Sequence, residues 1–108
     1  MSDFSLKSYV TDHKTIHLVG IGGVSMSALA ELLLHLGAKV TGSDRTETDV
    51  TDKLAKLGAS ITYAHLPENV DGADLVIRTA AVHDDNPEIA HARELGIPVM
   101  ERAQAWGK

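Results

Sequence analysis

The sequence predicts a single α/β domain built on a doubly wound, five-stranded parallel sheet. Three observations predict it. Short apolar runs alternate with segments of helical periodicity along most of the chain. The connections between them are short, and glycines stand where the helices should stop. The first apolar run, Ile16-His17-Leu18-Val19-Gly20-Ile21-Gly22-Gly23, passes straight into a glycine turn and then a helical pattern. At 108 residues the chain has the size of one domain.

The elements follow in order. Residues 1–14 are polar and aperiodic and read as a lead-in. The first strand covers about Thr15 to Ile21, and a helix follows from about Val24 to Leu36. Met26, Leu29, Ala30 and Leu33 share one face of that helix at i, i+3, i+4, i+7 spacing. Leu32, Leu34 and Leu36 make its other faces apolar too, which predicts burial on more than one side. Gly37 ends it, and Ala38 to Thr41 form the second strand. Val50, Leu54 and Leu57 mark a second amphipathic helix, closed by Gly58, with Ala59 to Tyr63 as the third strand.

A connection through Leu66-Pro67-Glu68-Asn69 leads to a fourth strand at Ala73 to Ile77. Asn86-Pro87-Glu88 is a helix start, with Asn as N-cap, Pro at the first position and Glu near the positive end. That helix reaches Leu95 and stops at Gly96, before a short fifth strand at Ile97 to Met100. Alternation of this kind predicts strand order 3-2-1-4-5, with the Gly20–Gly23 turn at the carboxyl edge near the reversal of order. The domain spans 15–100, and 101–108 read as the start of a connection to a following domain.

Composition narrows the function. The net charge is −5 and Lys and Arg are scattered, which speaks against a nucleic-acid or membrane-surface partner. Cysteine is absent, excluding disulfides, thiolate metal sites and thiol catalysis. No apolar run reaches the roughly 18 residues of a membrane span, and the start Met1-Ser2-Asp3 lacks a signal peptide's features. A cytoplasmic protein is the expectation.

The glycine turn carries the chemistry. Glycines allow positive φ and keep side chains out of a ligand's way, while the unpaired N–H groups of a helix's first turn suit phosphate. Gly20, Gly22 and Gly23 are therefore candidates for diphosphate binding. Ser25 stands where the Gly-x-Gly-x-x-Gly pattern has its third glycine. Ser25 and Ser27 either donate hydroxyls to phosphate or cap the helix. Asp44, 22 residues beyond Gly22, ends Val40-Thr41-Gly42-Ser43-Asp44 close to the offset at which an acidic residue reaches a ribose hydroxyl. A glycine-rich turn without a ligand, in a purely structural domain, is the plainer alternative.

Four stretches together resemble the Mur ligases of bacterial peptidoglycan synthesis. They are Ile16 to Gly23 continuing through Met26-Ser27-Ala28-Leu29-Ala30; Gly42-Ser43-Asp44; Thr79-Ala80-Ala81-Val82 followed by Asp85-Asn86-Pro87-Glu88; and Gly96-Ile97-Pro98-Val99 leading to Arg102-Ala103. The resemblance implies a Rossmann-like N-terminal domain that holds the UDP part of UDP-N-acetylmuramate. It implies substrate contacts from Gly20, Gly22, Gly23, Val24, Ser25, Met26, Ser27, Ser43, Asp44, Thr79, Ala80, Ala81 and Arg102. Ala80 replaces a serine common in the family, which leaves Thr79 as the nearby hydroxyl.

In the reaction so implied, ATP activates the muramyl carboxylate as an acyl phosphate, which the amine of L-alanine attacks. ATP and Mg2+ belong to a following domain, since no Gly-x-x-x-x-Gly-Lys-Ser/Thr occurs in this chain. The chain alone is expected to bind substrate without turning it over, with the remaining ligase domains as partners in cis and no catalytic or metal-ligating residue of its own. The competing reading is an NAD(P)-binding domain of an oxidoreductase or a ligand-sensing regulator, with Asp44 on an adenosine ribose. The six histidines show no metal-ligand spacing. His13, His35, His65, His83 and His91 read as surface residues, and His17 as a strand residue with a structural hydrogen bond.

Overall fold

The computed structural model describes residues 14–79, 82 and 85–101. Five parallel strands lie in the order β3-β2-β1-β4-β5, as the alternation predicts. They are β1 (Thr15–Val19), β2 (Lys39–Ser43), β3 (Ser60–Thr62), β4 (Leu75–Arg78) and β5 (Val99–Glu101). Among the described residues three helices accompany them: α1 (Val24–His35), α2 (Asp49–Leu57) and α3 (Pro87–Glu94). The connection at Pro67–Val70, expected as plain loop, forms a 3-10 turn.

β1 is central and flanked by β2 and β4, so apolar residues point to both of its faces. Ile16 and Leu18 pack with Met26, Leu29 and Leu33 of α1 and Leu54 of α2. Val19, on the opposite pleat, joins Val70, Val76, and Ile89 and Ala92 of α3. His17 shares that second face and is the buried polar residue of the strand, at 1% exposure.

Several strand bounds shift, with β4 at Leu75–Arg78 and β5 at Val99–Glu101 where Ala73–Ile77 and Ile97–Met100 are expected. β1 ends at Val19 rather than Ile21, because Gly20 turns the chain with a φ of 79°. β2 extends through Gly42 and Ser43, which pair with Leu18 and Val19. The expected burial of α1 on more than one side is also corrected. Its Met26, Leu29, Ala30 and Leu33 are buried, whereas Leu32 and Leu36 remain exposed. The helix lies on one sheet face with α2 beside it, and its outer side meets solvent.

The cap of α3 follows the sequence reading. Asn86 Oδ1 accepts from the Glu88 N–H at 2.9 Å, with Pro87 opening α3. At the start of α2, Thr48 and Thr51 exchange side-chain and backbone hydrogen bonds in a reciprocal capping box.

Candidate functional site

The carboxyl ends of the strands carry the site. Gly20 bends the chain over β2, so that the N–H groups of Gly20 and Ile21 both donate to Ser43 O, at 2.8 and 3.0 Å. Gly23 N–H closes the turn on Gly20 O at 3.0 Å. Gly23 is the N-cap of α1, and no side chain caps that end. The N–H groups of Val24, Ser25 and Met26 therefore keep no intrahelical partner.

The three glycines differ in what the fold asks of them. Gly20 needs its positive φ. A Cβ on Gly22 would stand 2.7 Å from Asp44 Oδ2 and 3.0 Å from Thr51 Cγ2, so that glycine serves internal packing. A Cβ on Gly23 would meet only Gly20 O at 3.4 Å, with φ at −66°. Gly23 is the one of the three whose lack of a side chain the fold does not demand. Gly42 is a second close approach, after Gly22: a Cβ there would lie 2.5 Å from Ile21 Cδ1, because Ile21 fills the space above it.

Asp44 turns its carboxylate onto the glycine turn. Oδ2 accepts from Gly22 N–H at 2.8 Å and Oδ1 from Arg45 N–H at 2.7 Å. Ser43 is fully buried and its hydroxyl donates to Glu88 Oε1 at 2.8 Å. Met26 is buried in the core, so only its backbone faces the site, while Val24 is 92% exposed at the mouth. Ser27 Oγ donates to Val24 O at 3.0 Å, an internal bond of the first helical turn. Ser25 is exposed. Thr79 is half-buried beyond the end of β4. Ala80, Ala81 and Arg102 lie outside the described residues.

A cleft of about 600 Å³ opens here, lined by Gly20, Asp44, Arg45, His65, Asp85 and Asn86 among others. Its volume lies within the range of small-molecule sites. Of the substrate contacts that the resemblance implies, Gly20 and Asp44 line it.

Beneath this cleft lies a polar cluster that sequence reasoning missed. Glu88, placed at the positive end of α3 by its position, turns inward and is fully buried. Its Oε1 accepts from His17 Nε2 at 2.6 Å and from Ser43 Oγ at 2.8 Å. Its Oε2 accepts from Asn69 Nδ2 at 2.9 Å and lies 3.3 Å from His65 Nδ1. Burial pushes the Glu88 carboxyl up, but the hydrogen bonds from His17, Asn69 and Ser43 outweigh it and leave the group below the ordinary glutamate value.

His17 also reaches Thr41 Oγ1 at 2.7 Å through Nδ1, the structural bonding expected of it. His65 is no free surface residue: it is 21% exposed and held by Ser43 and Glu88, because the chain after β3 folds back over the sheet edge. His35 is exposed, and His91 pairs with Asp71 and Glu94 at 28% exposure. His13 and His83 lie outside the described residues. The signal for the cluster was His17 itself, a polar group in an apolar strand that must find a partner.

Fold and site together define a Rossmann-like α/β domain whose glycine turn lies at the reversal of strand order. The chain belongs to the Mur ligase family: the model of its catalytic domain matches residues 15–108. The UDP-N-acetylmuramate–L-alanine ligase of Desulfatibacillum aliphaticivorans is 56% identical over 90 residues, 83% of this chain and 20% of that protein.

The crystal structure of the UDP-N-acetylmuramate–alanine ligase of Thermotoga maritima matches with a TM-score of 0.83 at 46% identity. That match covers 87% of this chain and 22% of the other. A murein peptide ligase of Psychrobacter arcticus matches with a TM-score of 0.79 at 30% identity, over 85% of this chain and 20% of the other. The chain thus spans about a fifth of the length of such relatives.

Proposed function

We propose that this chain is the part of a UDP-N-acetylmuramate–L-alanine ligase that holds the UDP portion of its substrate. The observation that carries the reading is the N-terminus of α1, capped by a glycine with no side chain and adjoining an open cleft of about 600 Å³. The diphosphate sits against the N–H groups that follow Gly23, and the nucleoside enters the cleft. Gly20 and Gly22 shape the turn, Val24, Ser25 and Met26 offer their backbone, and Ser43 and Asp44 hold the turn from β2. Thr79, Ala80, Ala81 and Arg102 complete the substrate contacts.

In this reading ATP and Mg2+ are held by the rest of the ligase, together with the L-alanine site. The isolated chain binds substrate and has no turnover, and the ligase works in the cytoplasm. Among the described residues no helix is long and apolar enough to cross a membrane. The family match and the named relatives favour this reading over an NAD(P)-binding domain.

Calorimetric titration with UDP-N-acetylmuramate, UDP and NADH in parallel tests it. The two uridine nucleotides bind and NADH binds more weakly or not at all. Gly23→Ala, which leaves the fold unstrained, removes their binding. Tighter binding of NADH, or unchanged UDP binding by Gly23→Ala, would overturn it.

A further inference from the structure

A buried carboxylate is a poor source of stability compared with apolar packing, and its place in a structure calls for another explanation. Glu88 accepts side-chain hydrogen bonds from three strictly separate segments beside its own: His17 on β1, Ser43 on β2, and Asn69 in the 3-10 turn. The fourth neighbour, His65, is the one that also lines the cleft.

Counting protons fixes what His65 carries at Nδ1. Ionised Glu88 has only lone pairs. Ser43 commits its hydroxyl proton to Glu88 Oε1. What faces His65 Nδ1 is then a lone pair of Ser43 Oγ and Glu88 Oε2, both at 3.3 Å. Two acceptors and no donor require a proton on Nδ1. A neutral ring in that tautomer carries its free lone pair on Nε2. Nδ1 is turned to the buried cluster, and the ring also lines the cleft.

We propose that Glu88 is a positioning residue that locks His65 in the Nδ1–H tautomer, so that the ring presents an Nε2 acceptor to a hydrogen-bond donor of the bound nucleotide. The donor is a ribose hydroxyl or a base N–H. The proposal rests on the nucleotide reading given above. It assigns to Glu88 an effect on the ligand that it exerts entirely through another side chain.

Imidazole 15N spectra of the 108-residue chain, recorded where neutral rings dominate, test the lock without any ligand. Wild type shows His65 protonated at Nδ1, and Glu88→Gln shifts it toward the Nε2–H form. UDP affinity falls about tenfold in Glu88→Gln, the size of one neutral hydrogen bond. His65→Asn keeps an N–H aimed at Glu88 but has no Nε2, and it loses affinity by the same factor. It is partly exposed and folds even where Glu88→Gln does not.

Dideoxy-UDP separates the donors: a ribose contact makes its affinity insensitive to His65→Asn, and a base contact leaves the tenfold loss in place. Either result supports an Nε2 acceptor. An Nε2–H tautomer in wild type overturns the lock. Wild-type UDP affinity in His65→Asn overturns the ligand contact. Failure of UDP to bind wild type defeats the nucleotide reading, and with it the contact, while the spectrum still judges the lock.

Discussion

Replacing Asp44 by Ala separates two jobs that an acidic residue at the end of β2 can have. The carboxylate accepts from Gly22 N–H at 2.8 Å and Arg45 N–H at 2.7 Å. Arg45 is exposed, so water replaces that bond at little cost. Gly22 is half-buried, and its N–H loses a charged acceptor. A hydrogen bond to a charged group contributes about 1.5–3 kcal/mol, and that is the stability Asp44→Ala should lose. With a urea slope of about 1–3 kcal/mol per M, the midpoint falls by roughly 1 M.

The same loss loosens the turn proposed above to receive the diphosphate. UDP and inorganic pyrophosphate should therefore weaken by equal factors. Asp44→Asn keeps one acceptor oxygen and falls between wild type and Asp44→Ala in both measurements. Urea melts and calorimetry with both ligands supply the data. A variant within about 0.5 kcal/mol of wild-type stability, weakened for UDP and unchanged for pyrophosphate, would refute this reasoning and return Asp44 to the ribose.

Gly22→Ala should cost about 1–3 kcal/mol of stability, since its Cβ collides with Asp44 and Thr51; a urea midpoint equal to that of wild type would contradict the packing described. Glu88 makes stability depend on acid. Its folded-state value is lowered, so its contribution is present above the ordinary glutamate value and is lost as pH falls through the folded value. The stability gap between wild type and Glu88→Gln should hold near neutrality and narrow below about pH 4.3, and urea melts across that range would show a widening gap if the sign were wrong.

The sequence pattern made the architecture legible because its signals are local. The spacing of Met26, Leu29, Ala30 and Leu33 marks the buried face of α1, and Asn86-Pro87 marks the start of α3. The glycine turn was legible as a turn, but not the division of labour within it. That Gly22 is there for Asp44 depends on a contact across 22 residues. The cluster around Glu88 was less accessible still, since His17 and Glu88 stand 71 residues apart. A glutamate in the first turn of a helix has a sufficient local explanation in the helix dipole, and that explanation hid the inward one. Strand ends at Gly42 and Ser43 were misplaced for a related reason: both residues favour turns locally, and pairing with β1 overrides them.

The seat of Ile21 above Gly42 has a bearing on how such chains diverge. The two positions form one locus, although they belong to different segments. A methyl group at 42 is tolerable only where the residue at 21 has already shrunk, so the order of substitutions matters and the reverse path passes through an unstable intermediate. The glycine of β2 and the bulk of its neighbour thus constrain each other, and the outline of the glycine turn is set in part from a separate strand.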